Sequence, residues 1–326
     1  MVDESQTGSE PRAGLAKQSG GPRRNNPLGA TPALGRRLFC QSLMSAAAMA
    51  GIGLSPRTSS GAAGLDLGRD ADRLRALVKM RGNLGPEMVI GWLRAERFAY
   101  SEGRIEPLSR FVAATFHKFR QVSDELFECA VLEITHYTNF DTGELLDTLR
   151  MPFSNREVKV PAYRGGPEII RFAVNLEERE DYAPEEGTTM NEFAPAGRVL
   201  MSKSIDPGYV RGDELFLRHE EYGRVLPRDS DLPSLFYKES TIWSAPLSEV
   251  LDPDTRNVDA LVAYSAMTSW RPWQEMGDIP GHTASNGFGR KASSVADLPQ
   301  DFLRYTEMRH PDVLADPEGL LDSVMD

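Results

Sequence analysis

A chain of 326 residues with 40% hydrophobic side chains is long enough for one large or two ordinary domains and can bury a sizeable core. Acidic residues outnumber basic ones, 48 to 37, for a net charge of −11, and no basic stripe interleaved with aromatics offsets it; nucleic acid is excluded as a partner. Two cysteines, Cys40 and Cys129, rule out a disulfide framework or a thiolate-rich metal site.

Residues 1–35 are rich in Gly, Pro, Ser and Asn, and Asn25-Asn26-Pro27 breaks any helical pattern, so no folded element is expected there. Gly35-Arg36-Arg37-Leu38-Phe39 then leads into a moderately apolar run, Ser42 to Leu54, and the small residues Ser59-Ser60-Gly61-Ala62-Ala63. The paired arginines before an apolar stretch resemble a twin-arginine export signal cleaved near Ala63. That resemblance implies the twin-arginine machinery as a partner, a periplasmic location, and a mature chain of residues 64–326. Cys40 precedes the apolar run instead of following it, so a lipoprotein anchor is not indicated. No later run of about 18 apolar residues occurs, and no stable membrane anchor is expected. Cys129, left alone, reads as a small buried hydrophobe.

Asp66 to Met80 predicts a helix, with Leu74, Leu77 and Val78 at i, i+3, i+4 spacing and acidic residues at its start. From there to about residue 270 the pattern becomes short β-branched and aromatic runs divided by Gly, Pro, Asn and Asp. Strands are predicted near Met88–Tyr100, Arg110–Phe119, Leu126–Thr138, Leu145–Met151, Glu157–Pro161, Ile169–Leu176, Arg198–Ser204, Glu214–Tyr222, Phe236–Trp243 and Ala260–Thr268. Asp141-Thr142-Gly143-Glu144 marks a hairpin turn, because Gly143 can take the positive φ that closes it. A last helix is predicted from Pro299 to Arg309, ended by His310-Pro311. Strands without alternating helices disfavour parallel α/β folds. The expected fold is mainly β, one mature domain built as an antiparallel barrel or strongly curved sheet, calycin-like among the options, with helices flanking it at both ends.

Ser269-Trp270-Arg271-Pro272-Trp273-Gln274-Glu275-Met276-Gly277, with Pro280-Gly281 and Gly289-Arg290-Lys291 after it, resembles a signature of a bacterial family known as domain of unknown function 1838. Tyr137, the Asp141–Glu144 turn and Met151-Pro152 extend the resemblance, which covers roughly residues 80–315. Ala162 stands where the family is expected to place a histidine, so no role of that histidine carries over. The resemblance implies membership and supplies no activity.

No Gly-x-Gly-x-x-Gly follows a strand, and the chain has no phosphate-binding Walker loop, no Gly-x-Ser-x-Gly elbow and no His-Glu-x-x-His. What remains is polar residues on apolar strand faces, where a barrel lines a cavity. A period of two puts Tyr237, Glu239, Thr241 and Trp243 on one face, His219 with Leu215 and Leu217, and His136 with Ala130, Leu132 and Ile134. Tyr264 and Trp270 fall in phase with Val262. Glu239 is the residue of chief interest, since an unpaired buried carboxylate is expensive and acquires a raised pKa; Arg218 and Arg271 are its candidate ion-pair partners. The histidines lie on separate strands without ligand spacing, and neither a metal nor a cofactor is expected.

These features point first to a cofactor-independent lyase, isomerase or decarboxylase acting on a hydrophobic, preferentially aromatic, small molecule. Glu239, His219, Tyr237 and His136 are its candidate catalytic residues. Trp243, Trp270, Arg271, Trp273 and Tyr264 are its candidate substrate contacts, with Arg290 and Lys291 as further candidate anion holders. Two rival readings use the same residues: a periplasmic hydrophobic-ligand carrier without proton transfer, and an interaction scaffold presenting its tryptophans.

Overall fold

The computed structural model describes residues 65–183, 193–229 and 231–325; the segment expected to be an export signal, with its expected cleavage near Ala63, lies outside them. Helix α1 (Asp70–Arg81) carries Asp70 and Asp72 in its first turn and Lys79 and Arg81 in its last, the charge order that complements a helix dipole. The strands follow as β1 (Val89–Ser101), β2 (Arg104–Ser123), β3 (Leu126–Thr138), β4 (Thr148–Arg150), β5 (Glu157–Lys159), β6 (Tyr163–Phe172), β7 (Asn175–Tyr182), β8 (Gly197–Ile205), β9 (Tyr209–Arg211), β10 (Glu214–Pro227) and β11 (Leu235–Pro246). Helix α2 (Leu247–Leu251), β12 (Leu261–Ser269), β13 (His282–Ala292) and helices α3 (Gln300–Arg309), α4 (Pro311–Ala315) and α5 (Pro317–Asp322) complete the order.

Ten strands form one sheet in the order β6-β3-β2-β1-β13-β12-β11-β10-β8-β7, every pairing antiparallel, with β9 added beside β10 and β4 paired with β5 apart. The sheet curls into a nearly closed barrel, as the meander pattern leads one to expect. Its two terminal strands, β6 and β7, are consecutive in the chain. Side chains bridge the seam between them: Lys203 Nζ donates to the Arg171 carbonyl at 3.0 Å and lies 3.4 Å from Glu178.

Three features depart from the sequence reading. The predicted strand over Ile169–Leu176 is divided at Ala173-Val174 between β6 and β7, and the one over Leu145–Met151 shrinks to β4. β13 lies past residue 270, beyond the predicted strands, and carries Gly287 and Gly289. They are needed as glycine: a Cβ on them would fall 2.3 Å from the Arg94 carbonyl oxygen and 1.9 Å from that of Trp92. The Asp141–Glu144 turn is present, with Gly143 at φ 73° and the Asn139 side chain accepting from the Asp141 and Thr142 amides.

The barrel is filled in layers. One end is plugged by α1, whose Leu74, Leu77, Val78 and Met80 pack on Phe119, Phe127, Phe172, Leu217, Trp243 and Val262, drawn from strands all around the sheet. Each such fully buried side chain stabilises the plug by about 1.5–3 kcal/mol. Lys291 Nζ fastens the plug, donating to the carbonyls of Lys79 at 3.0 Å and Gly82 at 2.6 Å and to Asn257 Oδ1. At the other end, Trp270, Trp273 and Met276, in the loop after β12, close over Ala99, Leu108, Met151 and Val158. Helices α3–α5 cover the outer face of β1–β3, burying Ile90, Phe116, Leu132 and Ile134 under Leu298, Phe302, Val313 and Leu321. Among the described residues no helix is long and apolar enough to cross a membrane.

Candidate active site

Between plug and roof the barrel interior turns polar. Strand register places Glu239 of β11 opposite Glu221 of β10 and Ala266 of β12, while His219 and Tyr264 flank Thr241 one step nearer α1. On the facing wall β3 contributes Glu133, Thr135 and Tyr137, β6 contributes Tyr163 opposite Thr135, and β1 contributes Arg97 opposite Ser285. Arg271 comes in from the roof loop, where its backbone N–H donates to Gln274 Oε1 at 2.8 Å. Glu133, Glu239, Tyr264 and Arg271 lie deep enough for burial to dominate their ionisation, yet each keeps part of its surface free of protein atoms. Side chains lining an interior space behave in this way.

The chamber is polarised along the barrel axis. Toward α1 it is acidic: burial first, then the charges of Glu221 and Glu133, pushes Glu239 up to about 8, with Arg81 and a hydrogen bond from Tyr264 acting in the opposite direction. Burial also raises Glu133, which accepts from Thr135 Oγ1 at 2.9 Å. Glu239 is therefore a neutral acid at pH 7, able to donate a proton, with the Glu221 and Glu133 side chains beside it. His219 Nδ1 lies 3.7 Å from Glu221, but burial pulls the imidazole down to about 4 and leaves it neutral.

Toward the roof the chamber is cationic and aromatic. Arg97 Nε donates to Ser285 Oγ at 3.0 Å and its Nη1 to the Tyr137 hydroxyl at 3.3 Å, with the guanidinium over the Phe111 and Tyr137 rings. Arg271 Nη1 donates to the Phe193 carbonyl at 3.4 Å and lies over the Phe193 ring. Burial holds the Tyr163, Tyr237 and Tyr264 hydroxyls well above the usual phenol range, so all three stay protonated donors. Among the described residues no group of three or more His, Cys, Asp and Glu is arranged to hold a metal ion.

Residues 232–324 match a family model described as protein of unknown function, DUF1838. Over that span the chain is similar to the DUF1838 family. The match runs from just before β11 to the end of α5, a shorter span than the 80–315 suggested by the motifs, and it contains Tyr237, Glu239, Tyr264 and Arg271. Arg97, Glu133 and Glu221 complete the chamber from outside the DUF1838 match. No curated protein matches the chain.

Of the residues singled out by sequence, Tyr237, Glu239, His219, Tyr264 and Arg271 meet in the chamber. Tyr237 donates its hydroxyl to Met201 Sδ at 2.7 Å. Glu239 has neither of its expected partners as an ion pair: Arg218 bonds Asp206 outside the barrel, and Arg271 faces the tyrosines. His136 does not belong to the site. Its strand face points outward, under α3, where Nε2 meets Thr306 Oγ1 at 2.8 Å and the ring packs on Phe302 and Tyr305.

Trp243 shares the inner face with Glu239 but sits in the apolar plug, and Trp270 spends its indole N–H on the Ile279 carbonyl at 3.0 Å. Both are packing residues. Trp273 reaches the chamber edge, 6.0 Å from the Tyr137 ring, and lines an open outer hollow with Lys159, Pro272 and Glu275. Lys291 is consumed by the plug and Arg290 pairs with Asp259 outside, so neither contributes to the chamber. Cys129 lies in the core, its thiol pushed up to about 12 by burial.

Arg97, Glu133 and Glu221 escaped the sequence reading. Glu221 was legible, two residues beyond His219 on the same face. Arg97 continues the phase of Leu93 and Ala95, an apolar alternation ending on a charge. Glu133 was hidden because both faces of β3 are apolar, so alternation alone does not say which one looks inward.

Proposed function

We propose that the protein is a cofactor-independent enzyme of lyase, isomerase or decarboxylase type that moves a proton on an aromatic small molecule held inside the barrel. One observation carries this reading: Glu239, Glu221 and Glu133 converge with the Tyr264 hydroxyl in an enclosed layer between two apolar plugs. In it, Glu239 delivers a proton to the substrate, a neighbouring carboxylate receives one, and Tyr237 and Tyr264 hydrogen-bond the polar atom that changes charge.

The test is to incubate the full chain with aromatic acids and alcohols, follow mass change, and compare Glu239→Gln with Lys238→Gln, whose side chain points outward. Glu239→Gln should lower turnover by about a hundredfold or more while ligand affinity is kept. Lys238→Gln should change neither. Equal turnover in Glu239→Gln would remove Glu239 from the chemistry, and binding without mass change in the unaltered chain would replace the enzyme by a carrier. We also propose export by the twin-arginine route: residues 1–64 fused to a reporter should reach the periplasm, and Arg36→Lys with Arg37→Lys should stop it.

A further inference from the structure

The two guanidinium groups at the roof end of the chamber have no anionic partner among the described residues. The partners of Arg97 are Ser285 Oγ, the Tyr137 hydroxyl and two ring faces; those of Arg271 are the Phe193 carbonyl and a ring face. Both guanidiniums border one cluster, Arg97 over Phe111 and Tyr137 and Arg271 over Phe193, and burial, then the charge of Arg97, weakens the hold of Arg271 on its proton. Buried like charges without a counterion are unfavourable, and an anion between them relieves both the repulsion and the unfilled donor sites.

The surroundings narrow the anion. Phe111, Tyr137 and Phe193 flank the guanidiniums, and Trp273 and Tyr163 pack on the same apolar cluster, so a planar carbon framework is accommodated beside the charge. Farther down, the acidic wall around Glu239, where Glu221 and Glu133 already hinder its ionisation, disfavours a second negative charge and so a dianion such as phosphate. We infer that Arg97 and Arg271 form a carboxylate subsite, and that the ligand is an aromatic monoanion whose ring extends from them toward Glu239. This rests on reading the chamber as the functional site and adds to it a substrate class and an orientation.

Binding to the full chain can be measured by calorimetry and thermal shift with cinnamate and benzoate, their uncharged amides, and inorganic phosphate. The carboxylates should bind and raise Tm, with the amides and phosphate at least tenfold weaker. Arg271→Gln and Arg97→Gln should each weaken cinnamate by about tenfold or more, since each removes a charge-assisted pair. Arg290→Gln, on the outer face, should leave affinity unchanged. Arg271→Lys, which keeps the charge and loses the fork, covers the case in which the glutamine variant does not fold, and should weaken cinnamate less than Arg97→Gln does. Amides or phosphate binding as tightly as carboxylates, no binding of either carboxylate, or wild-type affinity in Arg97→Gln would overturn the subsite. Glu239→Gln should keep cinnamate affinity whatever happens to turnover, so a failed proton-transfer reading and a failed anion subsite give different results.

Discussion

His219 and His136 occupy comparable places in the chain, each on an alternating strand with two or three aliphatic residues in phase, and they end on opposite sides of one sheet. His219 looks into the chamber, beside Glu221 and the Phe172 ring. His136 looks out, into the seam between β3 and α3. Burial depresses both, His219 to about 4 and His136 to about 3, so the imidazoles themselves do not tell the regions apart. Their neighbours do: the inner region gathers carboxylates and guanidiniums that are not paired with each other, whereas the outer one offers His136 one hydroxyl, at Nε2, and surrounds the remainder of the ring with other rings. A sheet side that keeps unpaired charge is equipped for a ligand, and a side that neutralises it is built for packing.

Trp243→Ala offers the largest break in this comparison. Although Trp243 shares the strand face of Glu239, it belongs to the plug, and its truncation should lower unfolding free energy by about 3–5 kcal/mol in a denaturant titration. Cinnamate affinity of the folded fraction should hardly change.

Glu239 and the two buried histidines should respond to pH with opposite sign. Glu239 holds its proton up to about 8 in the folded chain against 4.5 ordinarily, so the native state binds more protons across that window and stability falls as pH rises through it. His136 and His219 lie below their ordinary 6.5, so the native state binds fewer protons there and stability falls as pH drops toward 4 and 3. Glu239→Gln should therefore flatten the Tm-against-pH curve on the alkaline side, raising Tm by several degrees at pH 9, and leave the acid limb in place. An unchanged alkaline limb would mean that Glu239 is not a buried neutral acid.

A smaller effect is expected outside the barrel. Thr306→Val removes the hydrogen-bond partner of His136 Nε2 and should destabilise the chain by about 1–3 kcal/mol without altering turnover. Loss of activity at constant stability would restore His136 to the site.

Much of the barrel could be read in the sequence because its strands are short, alternating and punctuated, and on β11 the period of two correctly grouped Tyr237, Glu239 and Trp243. The phase of β3 could not, since α3–α5 make its outer face as apolar as its inner one. Nor could the depth of a residue along a strand: alternation gave Trp243 the same face as Glu239 but not its place four residues deeper, under α1. Arg97 and Arg271 lie far apart in the chain, and only the pairing of β1 with β13 brings them within one chamber.

That pairing has a kinetic consequence. β1, β2, β3 and β6 can assemble as one local meander, and β7, β8 and β10–β13 as another; the register that joins them, Ile90 against Ala292 through Tyr100 against His282, is the long-range step. Loop-closure entropy makes such a contact slow to form, and contact order places it late. Until β13 docks on β1, Arg97 and Glu133 remain hydrated on one half-sheet while Glu239, Tyr264 and Arg271 remain hydrated on the other. The ladder that completes the fold is the same one that takes these charges out of water, so the chamber acquires its electrostatic character in the final step of assembly.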